Sequence, residues 1–227
     1  MAMSDALPPL LFRSEGLVVL DKPAGLPVHP GPRGGASVED WFPLLSRRRA
    51  GPWLVHRLDA DTAGCLAVAL RRAALLEAQA LFARGAVRKV YWAVVEGEPA
   101  ADFGTIDAPL AKRSKPGSWR MVVDPEGQPA RTSWRVLGRS GGRAWLELSP
   151  ETGRTHQIRV HCAALGCPLV GDAVYGAAGV DRLHLLARSL SLPMAALVQA
   201  EAPPPPHMVP TLRALGWAPP RPNPAGT

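Results

Sequence analysis

A chain of 227 residues is one large domain or two small ones, long enough for a substantial core. Hydrophobic residues at 47% and charged residues at 20% exclude wholesale disorder. No apolar run approaches the ~20 residues of a membrane helix, no basic-then-apolar leader opens the chain, and three cysteines do not make a disulfide framework. A soluble cytoplasmic protein is expected. The net charge of +7 is unevenly spread: residues 47–92 and 110–160 each carry +6, while 93–109 carry −4. Only four of the 26 basic residues are lysine. Two separate arginine-rich blocks point to a surface that meets a polyanion.

Residues 1–16 show no clear period and read as a loose lead-in. The run Leu17 to Leu20 predicts a buried strand that ends in a Pro/Gly-rich loop from Lys22 to Gly35. Ser37 with Asp40 resembles a capping box for a short helix through about Leu45, and Arg47 to Pro52 reads as a surface turn. Trp53 to Leu58 and Cys65 to Leu70 read as strands that bracket the polar segment Asp59 to Gly64. Ala74, Leu75, Ala78, Leu81 and Phe82 recur at helical spacing, closed by Gly85.

Val87 to Glu96 alternates and is rich in β-formers, so it predicts a strand. Trp119 to Val123, Ala130 to Leu137 and Ala144 to Leu148 predict further antiparallel strands, and Thr155 to Leu165 a helix stopped at Gly166. Nine prolines in 202–227 suggest that regular structure fades into a tail. Strands with interspersed helices but no steady βαβ alternation indicate an α+β fold on a mixed, largely antiparallel sheet. A single domain over 17–201 follows.

Three clusters carry chemistry. In His56-Arg57-Leu58-Asp59-Ala60-Asp61-Thr62-Ala63-Gly64, an acid ends one strand in a tight turn before another. In extended chain Arg57, Asp59 and Asp61 share a face and His56 points away. A carboxylate flanked by arginine suits a nucleophile, but the residues alone favour an Arg–Asp pair closing a hairpin on the surface. Arg154, His156, Gln157 and Arg159 at a helix start form a plausible phosphate clamp, or the solvated basic side of an ordinary amphipathic helix. Arg88-Lys89-Val90-Tyr91-Trp92 sets charge beside rings, as base stacking needs, or as an edge strand with a core tyrosine would. CxxC, HExxH, Walker A and GxGxxG are absent, and the one GxSxG match, Gly138 to Gly142, falls between two expected strands rather than at a strand-to-helix elbow, so zinc, nucleotide, dinucleotide and serine-hydrolase readings lack support.

Taken in order, the segments VVLDKPAGLPVHPG (Val18 to Gly31), HRLDADTAG (His56 to Gly64), RKVYWAVVEG (Arg88 to Gly97) and TGRTHQIRVHCAALGCPLVGDAVYG (Thr152 to Gly176) resemble the motifs of the RluA-type pseudouridine synthases. The resemblance implies the pseudouridine synthase fold and isomerisation of uridine to pseudouridine in tRNA, rRNA or both, without metal, nucleotide or other cofactor. It makes Asp59 the catalytic aspartate and Tyr91 the ring that packs on the target base and is a candidate to remove a ribose proton. Arg159 becomes the partner of the aspartate and Arg57 an RNA contact. His56, Arg154, His156 and Gln157 join as substrate-binding candidates.

Two departures stand out: Ala63 replaces the usual Ser, and Leu186 stands in RLHLLARSLSLP where the family has a histidine, which leaves a role for His184 open. No basic S4-like module precedes Val18, as in the short, single-domain members, and a monomer is expected. The implied chemistry flips the uridine from its stack and cleaves its glycosidic bond, with Asp59 either as covalent nucleophile or as a stabiliser of charge at the sugar. A non-catalytic RNA-binding or RNA-chaperone module is the first alternative. A small-molecule hydrolase using Asp59 with a histidine is the second.

Overall fold

Short apolar runs punctuated by glycine and proline turns fold into one long sheet with helices on both faces. The computed structural model describes residues 6–31, 34–48, 50–176 and 182–219. The first half holds β1 (Leu10–Arg13), β2 (Leu17–Lys22), α1 (Phe42–Leu45), β3 (Trp53–Leu54), β4 (Ala63–Ala69), α2 (Arg72–Ala83) and β5 (Arg88–Glu96). Then come β6 (Phe103–Asp107), β7 (Leu110–Lys115), β8 (Ser118–Val123), β9 (Arg131–Ser140) and β10 (Arg143–Pro150). The chain closes with α3 (Gln157–Ala164), β11 (Leu185–Leu192), β12 (Val198–Glu201) and α4 (Val209–Ala214).

Among the described residues, ten strands form one sheet in the order β1-β2-β4-β11-β5-β10-β9-β6, with β3 added on β4 and β12 on β11. All its pairings are antiparallel except β4 with β11, where Leu186 and Ala187 align with Ala63 and Gly64. Strands β7 and β8 form a separate hairpin. The α+β, mostly antiparallel architecture expected from the sequence is the one observed.

Alternation along the strands sorts the core into two layers. Leu17, Val19, Val94, Trp145 and Leu190 pack beneath α2 and α4 on one face. Val18, Leu20, Ala93, Val95, Leu146 and Leu148 face the other way, beneath α1 and α3. Tyr91 belongs to this second face and touches both of its clusters. Among the described residues no helix is long and apolar enough to cross a membrane.

Several expectations need correction. Part of the lead-in is ordered: Leu10 to Arg13 pairs with β2 as an edge strand. The strand expected over Trp53 to Leu58 stops at Leu54, because the His56 ring replaces a strand carbonyl: its Nε2 accepts the Ala67 N–H at 3.1 Å. The helix expected from Thr155 begins at Gln157, since His156 is left-handed at φ 53°. The proline-rich tail does not fade: Met208, Leu212 and Leu215 are buried in the first core layer, and Pro210 sits in the first turn of α4, where its missing N–H costs nothing. Residues 1–5 of the lead-in, Pro32 and Arg33 of the loop, Arg49 of the surface turn and 220–227 of the tail lie outside the described residues.

Candidate active site

A cavity of about 810 Å³ opens where β5, the 59–62 turn and the start of α3 meet. Asp59 enters it from a tight turn in which the Thr62 N–H donates to the Asp59 carbonyl at 3.1 Å. The turn is pinned from behind by Lys22. Its ammonium donates to the carbonyls of Pro23 (2.8 Å), Leu26 (2.7 Å) and Ala60 (2.7 Å), tying the Lys-Pro loop to the 59–62 turn. Lys22 is fully buried, and burial brings its pKa down to about 7 against the pull of Asp61 and Asp59.

Opposite Asp59 stands Arg159, on the first turn of α3. Its Nη1 lies 3.5 Å from Asp59 Oδ2, while Nε and Nη2 each donate at 2.8 Å to the two oxygens of Asp172. Burial alone would lower the guanidinium pKa, yet the hydrogen bonds and charge of Asp172, with Asp59 behind them, hold it above its usual value. For Asp172, burial works to raise the pKa, but the same arginine, with the N–H groups of Val174 and Tyr175, holds the carboxylate below its usual range. Arg159 thus has one fixed partner and presents its remaining edge to Asp59.

His156 fills the third corner, with Nε2 3.8 Å from Asp59 Oδ2 and its ring stacked at 5.2 Å on Trp119 of the hairpin. Its pKa is lowered, chiefly by burial and next against the charge of Asp59. Tyr91 walls the cavity from β5. Burial, reinforced by the charge of Asp59, pushes its phenol pKa up, so the ring is uncharged at neutral pH and suits packing on a base better than taking a proton.

The other sequence candidates are placed as follows. Arg57 is exposed at the rim, and Arg154 lines the cavity while donating through Nε to the Pro129 carbonyl at 3.0 Å. His56 also lines it, on the same side as Asp59 rather than pointing away, because residues 55–58 are not extended strand. Its ring stacks on Phe82, and burial depresses its pKa to about 4, as expected of an imidazole that accepts an N–H. Gln157 is a brace rather than a free clamp: Oε1 accepts from Thr152 Oγ1 and the Arg154 N–H, and Nε2 donates to the Arg131 carbonyl and Thr132 Oγ1.

Four contributors escaped sequence reasoning. Asp172 and Tyr175 lie inside the last quoted segment but went unread, because Arg159 was assigned to a solvated basic face and its need for a buried carboxylate partner shows only once the side chain is seen to be enclosed. Lys22 carried no signal beyond its loop. Trp119, 46% exposed at the cavity rim with Lys112 4.9 Å from its ring, was read only as strand.

The arrangement offers a carboxylate held beside one guanidinium, an uncharged ring above it, and a basic rim formed by Arg57, Lys89 and Arg154. Comparison with known proteins gives this geometry a family. The model of the RNA pseudouridylate synthase family matches residues 16–164. A Zymomonas mobilis protein named as an uncharacterised RNA pseudouridine synthase is 43% identical over 189 residues, which cover 81% of this chain and 86% of that one. The ribosomal large subunit pseudouridine synthase D of Nitrosomonas europaea is 41% identical over 185 residues, 78% of this chain but only 53% of its own length. The structure of human RNA pseudouridylate synthase domain containing 4 superimposes with a TM-score of 0.78 at 30% identity, covering 91% of this chain and 92% of that one. With the motif order, the sheet and these matches in agreement, the chain belongs to the RluA-type RNA pseudouridine synthases, a family of isomerases.

Proposed function

We propose that the protein converts specific uridines of ribosomal RNA, transfer RNA or both to pseudouridine, with Asp59 as the catalytic carboxylate. The observation that carries this reading is the placement of Asp59: of the two carboxylates that line the cavity, Asp59 and Asp61, it is the one 3.5 Å from Arg159, in a space walled by Tyr91 and rimmed by cations. The reaction breaks the N1–C1′ bond of uridine and forms C5–C1′; the C5 proton leaves and N1 gains one. The carboxylate acts at C1′ while the detached uracil turns over against Tyr91. Arg159 keeps the carboxylate in place, and the enclosure retains the uracil until it re-bonds.

The large-subunit name of the Nitrosomonas relative makes ribosomal RNA the first substrate to test. A second basic surface supports a structured RNA: the β7–β8 hairpin carries exposed Lys112, Arg113, Lys115 and Arg120 beside Trp119. The acting unit in this reading is a monomer, working in the cytoplasm where these RNAs lie.

The test is a pseudouridine map of ribosomal and transfer RNA from a strain lacking the gene, restored with wild type or with Asp59→Asn. Discrete sites should vanish and return with wild type alone. Restoration by Asp59→Asn would overturn the role of the aspartate. An unchanged map, joined by no conversion of unmodified transcripts by purified protein, would leave the RNA-binding module in its place.

A further inference from the structure

His156 stands in an unusual backbone conformation, at φ 53°, and three other elements hold its ring in place. Trp119 stacks on it from the hairpin, Asp59 faces Nε2 at 3.8 Å, and the Tyr175 hydroxyl meets Nδ1 at 2.8 Å. The Tyr175 oxygen has a second partner: it accepts the Met121 N–H from β8 at 3.0 Å. A phenol carries a single proton to donate. With its oxygen already accepting from Met121, the arrangement that satisfies every group has the Tyr175 O–H donating to Nδ1. The imidazole proton then lies on Nε2. The opposite side of the ring agrees with this assignment: at 3.8 Å the Asp59 carboxylate is not hydrogen-bonded to Nε2, but it can only accept, so a proton on Nε2 is the one that lets the two close up.

We propose that Tyr175 fixes His156 as the Nε2–H tautomer, and that His156 so fixed is an uncharged donor that orients the Asp59 carboxylate. Both are positioning residues for the isomerisation, and this rests on the reading of Asp59 as the catalytic group. The benefit of an uncharged donor is chemical. Arg159 already supplies one full positive charge at Asp59. A second would draw electron density from the carboxylate and blunt it as a nucleophile, whereas a neutral N–H aims it at little cost. The groups facing His156 are Asp59, Arg159, Asp172 and Tyr175, with Lys112 behind Trp119. Burial already favours the neutral ring, and a donor on Nδ1 favours it further because it bonds the unprotonated nitrogen.

The same contacts link the RNA-facing hairpin to the catalytic centre. Met121 of β8 holds Tyr175, Tyr175 holds His156, and His156 faces Asp59. Displacing the hairpin therefore acts on the aspartate without touching it.

The experiment is nitrogen-15 NMR of the histidine side chains in the full chain, assigned by His156→Asn, a residue that tolerates the left-handed backbone. In wild type at pH 7.5 the His156 signals should show a protonated Nε2 and a bare Nδ1. In Tyr175→Phe they should show mixed tautomers, kcat should fall about tenfold, the loss of one buried hydrogen bond, KM should hold, and the acidic limb of the kcat profile should move to higher pH. An Nδ1–H tautomer in wild type overturns the proposal, as does a Tyr175→Phe enzyme with unchanged kcat and pH profile. Should Asp59→Asn retain activity while the tautomer is as expected, the failure lies with the reading of Asp59, and the orienting role falls with it.

Discussion

Arg159 can sit almost fully enclosed on the first turn of α3 because Asp172 takes two of its nitrogens, leaving the third for Asp59. Removing either member of such a buried pair leaves an uncompensated charge, at a cost of about 3–5 kcal/mol. Asp172→Asn should therefore lower the unfolding free energy obtained from urea curves, by less than that full cost because Arg159 can collapse onto Asp59, so that stability and kcat fall together. The Asp172 carboxylate is held below its usual pKa, so its contribution is present above the unfolded value and disappears as pH falls through the folded one. The gap in stability between wild type and Asp172→Asn should accordingly close in strong acid. Lys22 behaves in the opposite region. Its folded pKa of about 7 lies below the ordinary 10.5, so the unfolded chain binds the extra proton between the two. Stability should climb from pH 7 toward 10.5 on this account, opposed above about pH 9 by the buried Cys65 and Cys162 thiols, whose pKa values are raised. A titration of Lys22→Met, measured against wild type at each pH, should lack the climb.

At the scale of elements, the β7–β8 hairpin is hydrogen-bonded as a sheet of its own and carries four exposed cations. A base stacked on an aromatic ring contributes about 1–3 kcal/mol. Trp119→Ala should raise KM for RNA about tenfold, with Trp119→Phe recovering most of it. Lys112→Ala with Lys115→Ala should make the salt dependence of RNA binding shallower by about 1.5 to 2 in log–log slope. How legible such elements were depended on how local their causes are. The strand β5 and the helix α2 announced themselves because alternation and 3.6-residue spacing are written in neighbouring residues. The true start of α3 did not, because the left-handed turn at His156 is held by Trp119, Tyr175 and Asp59, which come from elsewhere in the chain. The end of β3 was hidden for the same reason, since His56 gives its ring nitrogen to Ala67 eleven residues on.

For the molecule as a whole, the C-terminal segment belongs to the core. Met208 and Leu212 are fully buried, and the chain passes so close to β9 that a Cβ on Gly138 would lie 1.9 Å from the Leu215 carbonyl. Each such apolar side chain is worth about 2–5 kcal/mol, and a domain has only about 5–15 in all. A chain ending at Glu201 should fail to fold, as read from the loss of a cooperative thermal transition. The proline count hid this: Met208, Leu212 and Leu215 recur at helical spacing directly after the four prolines, and that pattern was the better guide. The segments around Asp59, Tyr91 and Arg159, by contrast, stood out through their resemblance to family motifs; their residue types alone fitted a hairpin ion pair, an edge strand and an amphipathic helix as well.

The place of β11 in the sheet has a consequence for how the enzyme comes into being. It lies between β4, which follows Asp59, and β5, which carries Tyr91, and it meets the first in parallel so closely that a Cβ on Gly64 would lie 2.3 Å from the Ala187 carbonyl oxygen. The two walls of the catalytic cavity are therefore joined by a strand synthesised about a hundred residues after the second of them. Until Leu185 to Leu192 has left the ribosome, no strand joins β4 to β5, and the nascent chain, though it already carries both basic blocks, has no assembled pocket with which to act on RNA.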